Sequence, residues 1–577
     1  MGNRLLPIHG KHMKLKSEIN TIIKEAFEKA EIDAPAVSVT EATKPEFGDF
    51  QFNGVMALAK TLKQNPREIA QKLISHIDLT GAIAKVEVAG PGFINVWLHP
   101  SWIALACEQA LQDERLGVSK RETPIKAVVD YSGPNMAKQM HVGHLRSTII
   151  GDTLANLLTY LGDEVIRQNH IGDWGTQFGM LIAYLEEKGS DGSANLKDLE
   201  QFYKEAKTRF DADASFANKA REYVVKIQSG DQHCLNLWQK FIDISLGHCE
   251  DVYGKLCIKL TREDVKAESF YNEDLPNVIE DLIKQGLLKE SDGAQCVFLE
   301  GEEIPVIVQK GDGGYLYATT DLAALRYRAN VLDAKRISYV VDARQSEHFK
   351  QVFKIAKESG FVPKDVNLEH IAFGTMMDKT GKPFKTRDGG TVKLVDLLDE
   401  AVIKAKESIK DKENLSLEEL ESLAKIIGIG AVKYADLSIN RESNYIFDWD
   451  KMLSFEGNTS LYMQYAYARI QSIFRRFDGE IQGHIVIKDQ IEHRLGVMLL
   501  RFEEMLYRAA EEAAPNQITS YLYELATLFM RFYEQNPILK EGVCEELQMS
   551  RLALARLTAR TIKEGLDILG IEVVDKI

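Results

Sequence analysis

The sequence predicts an α/β protein built on a doubly wound parallel sheet, with an all-α bundle after it. Three observations carry this. The strand-like run Ile125–Tyr131, the helix-like run Val142–Leu161 and the strand-like run Glu164–His170 make one βαβ unit, whose right-handed crossover gives a parallel pair. Strand-like runs return at Val297–Leu299, Val306–Val308, Ile337–Val341 and Ile371–Phe373, with helical stretches between them. From about residue 441 nothing reads as strand. There Leu461–Phe477, Ile491–Glu512, Ile518–Glu534 and Ser550–Leu569 are apolar at helical spacing.

At 577 residues the chain exceeds one core, and about three to four domains are expected. Residues 1–13 have neither helical nor strand periodicity and read as a leader appended ahead of a second Met. Residues 14–118 read as α+β, with helices Leu15–Ala30 and Val55–Ile77, then alternation over Lys85–Leu98 around the turn Gly90-Pro91-Gly92. Residues 119–440 hold the α/β pattern. A charged helical stretch, about 176–256, interrupts it as an insertion between two halves of a nucleotide fold. Residues 441–577 form the bundle.

Composition is that of a soluble globular protein, 45% hydrophobic and 27% charged. No apolar run approaches the roughly 20 residues that cross a bilayer, and no signal peptide is visible. No membrane is expected as partner, and the cytoplasm is the expected location. The six cysteines form no Cys-x-x-Cys pair, so zinc is not expected and reduced thiols are. The net charge of −15 runs against a simple nucleic-acid binder. It leaves room for a local basic face on an acidic body.

The chemistry concentrates where Ile125–Tyr131 meets Val142–Leu161. The first-turn N–H groups of a helix have no internal partner and sit at its positive end, so the junction suits a phosphate chain. His141 and His144 add donors there. Gly143 lets a flat base or ribose lie against the backbone, and Lys138 is a compact cation three residues upstream. Gly381-Lys382-Pro-Phe-Lys385-Thr-Arg387-Asp-Gly-Gly390 reads as a second phosphate element, a cation-rich loop. Tyr317 and Asp321 are four apart and share a face if a helix starts there. A carboxylate grips a planar cation through two parallel hydrogen bonds, so the pair is a candidate reader of such a group.

Ser132-Gly-Pro-Asn135-x-Ala-Lys138-x-x-His141-x-Gly-His144-Leu-Arg-Ser147 resembles the adenylate-forming signature of class I aminoacyl-tRNA synthetases, in the form carried by arginyl-tRNA synthetases. The resemblance extends over nearly the whole chain from about residue 14. It implies a Rossmann-like class I synthetase catalytic domain with helical insertions, an α+β N-terminal domain and an all-α anticodon-binding domain. It implies L-arginine, ATP accompanied by Mg²⁺, and tRNA(Arg) as partners, no DNA, and a monomer. It also implies that arginine activation needs bound tRNA. His141, His144 and Lys138 would be catalytic. The loop lysines Lys382 and Lys385 would join them, although the usual Lys-Met-Ser-Lys-Ser is missing. Ser132, His141, Gly143, His144, Gln345, His348, Phe373 and Gly374 would bind ATP. Asn135, His141, Glu268, Tyr317, Asp321 and Gln345 would bind arginine. The stretch His170-Ile-Gly-Asp-Trp174-Gly-Thr-Gln177 would edge the cleft.

The N-terminal segment resembles the family's additional domain, which contacts the tRNA elbow through residues such as Phe47, Phe50 and Asn53. The opening helix of the bundle resembles that of the family's anticodon-binding domain, which implies that Gln464 and Arg469 would be among the residues facing RNA. Three alternatives stay open on sequence. One is a class I synthetase for another amino acid, though most such relatives with this anticodon module carry a cysteine-rich zinc site that is missing here. The others are a small-ligand nucleotidylyltransferase and an inactive tRNA-binding relative.

Overall fold

Leu15, Ile19, Ile23, Ala26 and Phe27 recur at helical spacing, and all five are buried along the helix Leu15–Lys29. The computed structural model describes residues 15–33, 36–189, 199–384, 392–410 and 415–577. The chain divides into two compact units. The first takes the residues up to Lys120 with Phe455–Asp567 and Glu572–Ile577. The second takes Arg121–Ser454 with Ile568–Ile571.

The first unit contains a four-stranded antiparallel sheet of β1 (Thr40–Glu41), β2 (Phe50–Phe52), β3 (Ile83–Ala89) and β4 (Phe93–Leu98), in the order β1-β2-β4-β3. The single helix expected over Val55–Ile77 is two, Val55–Leu62 and Pro66–Ile74. Lys63 leaves the first in the left-handed region (φ 54). Pro66 has no N–H to continue a helix, and it starts the second, capped by the Asn65 side chain. The unit's later part is all helical: Ser460–Arg475, Gln490–Leu500, Phe502–Glu511, Pro515–Gln535 and Glu545–Ile568. The continuous helix expected over Ile491–Glu512 is interrupted at Arg501.

In the second unit, β5 (Lys126–Asp130) leads through the helix Val142–Tyr160 to β6 (Glu164–Gln168). The insertion is helical as expected, with Thr176–Glu187, Leu199–Ala212, Ala214–Gln228 and Gln232–Leu256. Then come β7 (Leu288–Ser291), β8 (Ala294–Val297) and β9 (Val306–Gln309), which form a separate antiparallel sheet. This corrects the expectation that the runs at 297–299 and 306–308 belong to the parallel sheet. Links this short suit antiparallel neighbours, since a parallel crossover needs a dozen or more residues.

The chain rejoins the main sheet with β10 (Arg336–Tyr339) and β11 (Asn367–His370), giving the all-parallel order β11-β10-β5-β6. The strand expected at Ile371–Phe373 ends instead at His370. Beyond it, Phe373 makes only an isolated bridge to Asp342. Short strands β12 (Met376–Met377) and β13 (Tyr445–Ile446) pair in parallel, so the stretch after 441 does carry a little strand. Val128 of β5 and Ile337 of β10 are fully buried in one core with Leu322, Leu325 and Val352. The segment Ile568–Ile571 also belongs here. The buried Lys433 ammonium donates to Gly570 O at 2.7 Å and to Leu256 O at 2.8 Å.

β5 leads to β6 on one side of the sheet and β10 leads to β11 on the other. The point between β5 and β10 is therefore where the strand order reverses, and ligands of open α/β sheets bind outside the carboxyl ends of the strands at such a point. The helix Val142–Tyr160 packs tightly on Tyr131, the residue next after β5. A Cβ added at Gly151 would stand 2.2 Å from Tyr131 Cβ. Gly151→Ala is expected to destabilise the protein by about 1–3 kcal/mol, read as a lowered midpoint in chemical denaturation.

Candidate active site

β5 ends at Asp130, and the chain then turns through Ser132 (φ 73), Gly133 (φ 52) and Ala137 (φ 69). A non-glycine residue in this region costs on the order of 1–3 kcal/mol and persists only where its surroundings fix it. They do so here. Ser132 N donates to Ser147 Oγ at 2.9 Å, whose hydroxyl donates to Val340 O at 2.7 Å beyond β10. Ser132 Oγ lies 2.7 Å from Tyr253 OH and accepts from Thr148 Oγ1 at 3.0 Å. Gly133 N donates to Asn169 Oδ1, and Ala137 N to Ser245 Oγ, each at 3.0 Å.

The turn delivers His141 to the N-cap of the helix Val142–Tyr160. His141 Nδ1 accepts from Gly143 N at 3.0 Å, and His144 Nδ1 accepts from His141 N at 3.1 Å. The rings lie 4.0 Å apart. With Nδ1 an acceptor on both, each neutral ring carries its proton on Nε2. Burial, then the neighbouring His141, pushes the His144 pKa down to about 3. Burial, then Lys138, lowers that of His141 as well. Near neutral pH His144 is an uncharged donor beside a helix N-terminus.

Opposite this cap the structure gathers acids. A cavity of about 450 Å³ is lined by Ser132, Gly143 and His144, by Glu268, Tyr317 and Asp321, and by residues following β10. Tyr317 and Asp321 sit on the helix Tyr317–Arg326, as their spacing anticipates, with Tyr317 exposed at the rim. Glu268 is set by its neighbours: its N–H donates to Ile171 O at 3.0 Å, and Ser269 N donates to the buried Asp173 at 2.9 Å. Burial, followed by Asp173 and Asp321, pushes the Glu268 pKa up to about 7. Asp130 is already spent, because the fully buried Arg328 donates to it at 2.8 Å. Among the described residues, Asp321 pairs with an imidazole, His348 Nε2, at 2.6 Å. Neither Glu268 nor Asp321 has an arginine or lysine ion-pair partner among the described residues. A half-buried pair of carboxylates facing a cavity without such a partner is a site for a cationic ligand.

Residues 106–449 match the family model described as tRNA synthetases class I (R), catalytic domain. Residues 13–98 match the arginyl tRNA synthetase N terminal domain, and 463–577 the DALR anticodon binding domain. The arginine–tRNA ligase of Chromobacterium violaceum is 54% identical over 554 residues, which cover 94% of this chain and 96% of that one. The chain belongs to the arginyl-tRNA synthetases. The arginine–tRNA ligase of Alteromonas mediterranea is 53% identical over 96% of this chain and 98% of its own. The arginyl-tRNA synthetase structure from Plasmodium falciparum superposes with a TM-score of 0.87 at 30% identity, covering 98% of this chain and 100% of that one. The Thermus thermophilus arginyl-tRNA synthetase, 23% identical, shares the fold with a TM-score of 0.82 over the same shares of each chain.

Of the residues singled out on sequence, Ser132, Asn135, Gly143, His144, Glu268, Tyr317, Asp321, Gln345, His348 and Phe373 line this one cavity. His141 and Gly374 stand beside it, His141 against the His144 ring and Gly374 next in the chain to Phe373. Lys138 and Lys382 are not brought to its wall. The Lys138 ammonium lies 5.0 Å from the centre of the Tyr203 ring, and Lys382 sits exposed in a turn where its N–H donates to Asp378 at 3.1 Å. Lys385 and Arg387 lie outside the described residues.

Two expectations about RNA contacts are corrected by burial in the first unit. Phe50 is wholly buried on β2. Gln464 is wholly buried and donates to Glu572 O at 2.8 Å. Both serve packing. Phe47 is half-buried, and Asn53 and Arg469 are exposed, Arg469 lying against the rings of Tyr465 and Tyr533. Sequence reasoning missed Asp130, Tyr339 and Asp342 as wall residues. Asp130 and Tyr339 end β5 and β10 and Asp342 follows β10, so the rule that ligands sit beyond strand C-termini would have found them. No three His, Cys, Asp or Glu side chains among the described residues converge as metal ligands.

In a histidine-selective NMR titration, His144 is expected to keep an Nε2–H tautomer with constant shifts from pH 8 to 5. Its imidazole protonates only as the pH falls towards about 3.

Proposed function

We infer that this protein is an arginine–tRNA ligase that joins L-arginine to ATP as arginyl-adenylate, releases pyrophosphate, and then esterifies the terminal adenosine of tRNA(Arg). The observation that carries the reading is the coexistence, in one cavity, of the strand-end cap His141–His144 with two carboxylates lacking an arginine or lysine partner, Glu268 and Asp321. Phosphate chemistry needs the first, and recognition of a planar cation needs the second.

The arginine carboxylate attacks the α-phosphorus of ATP, and pyrophosphate departs in line. There is little covalent work for the protein, so positioning and charge stabilisation dominate. The Nε2–H groups of His141 and His144, at the positive end of the helix Val142–Tyr160, supply neutral donors to the phosphate oxygens; the first-turn N–H groups are themselves taken up by the two Nδ1 atoms, His141 O and Val392 O. Ser132, Gly143, Gln345, His348, Phe373 and Gly374 are assigned to ATP. Lys138, Lys382 and Lys385 are assigned to the departing pyrophosphate, which requires Lys138 to leave the Tyr203 ring. Asn135, His141, Glu268, Tyr317, Asp321 and Gln345 are assigned to arginine. In the second step a terminal ribose hydroxyl of tRNA attacks the arginyl carbonyl, and AMP leaves.

Mg²⁺ enters as part of the MgATP substrate, held by phosphate oxygens and water. Selectivity comes from the acids: a neutral analogue leaves buried carboxylates unpaired, and sites of this kind discriminate by roughly 10⁴–10⁵ without proofreading. Lysine keeps the charge but lacks the planar fork. We assign segments 14–118 and 441–577 to the tRNA elbow and anticodon, with Phe47, Asn53 and Arg469 among the contacts. We take the enzyme as a monomer in the cytoplasm, a location that a tRNA substrate supports.

Charging total tRNA with each labelled amino acid is the deciding test. Only arginine should be transferred, and arginine-dependent ATP–pyrophosphate exchange should require added tRNA. Exchange with methionine or cysteine would refute the assignment. Asp321→Asn should raise the KM for arginine about 10- to 100-fold, the worth of a charged hydrogen bond, with the KM for ATP little changed. Equal losses for both substrates would make Asp321 structural.

A further inference from the structure

Asp321 was expected to offer both oxygens to a guanidinium. One of them is taken: His348 Nε2 lies 2.6 Å from Oδ2. An ionised carboxylate can only accept, so Nε2–H is the donor whatever the charge of the ring. His348 rises from the helix Ser346–Glu358, and its ring lies edge-on to Phe349 at 5.3 Å. It lines the same cavity as Glu268 and Asp321. We propose that His348 is a resident stand-in for the substrate guanidinium, sharing Asp321 as an imidazolium in the free enzyme and giving up its Nδ1 proton to solvent when arginine enters. The Nε2–H bond to Asp321 is kept throughout, so His348 positions the carboxylate in both states. The proposal rests on the reading of Glu268 and Asp321 as the arginine socket.

The other charges facing this pair are accounted for. From β5, Asp130 is held by Arg328. Beyond β10, Asp342 is held by Arg344 at 2.8 Å. The imidazoles of His170, beyond β6, and His370, on β11, are both shifted towards the neutral form, chiefly by burial. On the same helix, Glu347 and Lys350 lie 3.6 Å apart, and Lys350 also reaches Glu302. Tyr317 and Tyr339 also line the cavity. The buried Asp173 near Glu268 is pushed up by burial and accepts from Ser269 N and Oγ, so among the described residues lining the cavity the groups left to answer an arriving cation are His348 and Glu268. The hydrogen bond to Asp321 holds His348 above the usual imidazole range, while burial opposes it. Glu268 is near 7.

The signs agree. A cationic ligand disfavours imidazolium and favours carboxylate, so both groups lose protons on binding. Arginine affinity should therefore rise with pH through neutrality, by up to about tenfold per pH unit for each linked proton.

Calorimetric titration of arginine into the full-length enzyme, with tRNA present, in two buffers of different ionisation enthalpy at pH 6, 7 and 8, tests this. The wild type should release protons at pH 6 and 7 and bind more tightly as pH rises. His348→Asn keeps an amide donor and cannot ionise. It should release fewer protons and show a shallower slope, binding arginine relatively better at pH 6 than at pH 8 when compared with the wild type. An affinity loss of the same factor at every pH, or unchanged proton release, would overturn the proposal and leave the socket intact. If Asp321→Asn binds arginine as the wild type does, the socket assignment itself has failed.

Discussion

A buried guanidinium holds the nucleotide side of this fold together. Arg146, two residues past His144, is almost wholly buried. Its Nε pairs with Asp436 at 3.0–3.2 Å, and its Nη1 donates to Ser443 O at 3.0 Å. It lies 5.8 Å from the centre of the Phe373 ring and 5.3 Å from that of Tyr445. One side chain thus joins the helix that carries the histidine cap, the helix Leu417–Leu437, the β13 segment and the cavity wall at Phe373. Removing one partner of such a pair strands the other charge and costs about 3–5 kcal/mol. Glycine at 374 belongs to the same junction, because a Cβ there would stand 2.6 Å from Ser443 O. Arg146, Asp436 and Tyr445 brace the wall at Phe373 without lining the cavity themselves.

The cavity divides its electrostatic work between two ends. At the cap, both histidines spend Nδ1 on backbone N–H groups, which fixes tautomer and ring orientation together. The donors offered to phosphate are neutral and pre-aimed, and they need no proton uptake. At the other end the acids are left short of cations, and burial, followed by the neighbouring Asp173 and Asp321, pushes the Glu268 pKa up. Asp130 shows the contrast. It is an acid of the same wall, but Arg328 already satisfies it, so it serves the fold and not the ligand.

Where local spacing carries the information, the sequence was readable. The βαβ unit was visible because β5 is an apolar run whose Ala127, Val128 and Val129 are fully buried. The cap was visible because His141 and His144 need only a strand-to-helix junction to converge. Tyr317 and Asp321 were visible through helical periodicity. Contacts between distant residues were not. Nothing in the sequence says that Arg328 will claim Asp130, 198 residues away, and so decide which acids remain for substrate. Nor does it say that His348 will reach Asp321. Phe50 and Gln464 were misassigned because an aromatic or an amide in an amphipathic stretch does not announce its face. The sheet β7–β9 was misplaced because short apolar runs look alike in parallel and antiparallel settings.

The tie between Lys433 and Gly570 has a consequence for synthesis on the ribosome. The ammonium of Lys433 finds its second carbonyl 137 residues later in the chain. At about 5–20 residues per second, the nascent polypeptide carries that cation half-matched for on the order of ten seconds. The first unit waits as well, since its early strands share a body with helices made more than 300 residues later, counted from Lys120 to Phe455. Neither body can close before those later segments have been made, so a stalled or prematurely terminated product exposes two incomplete cores to chaperones and proteases.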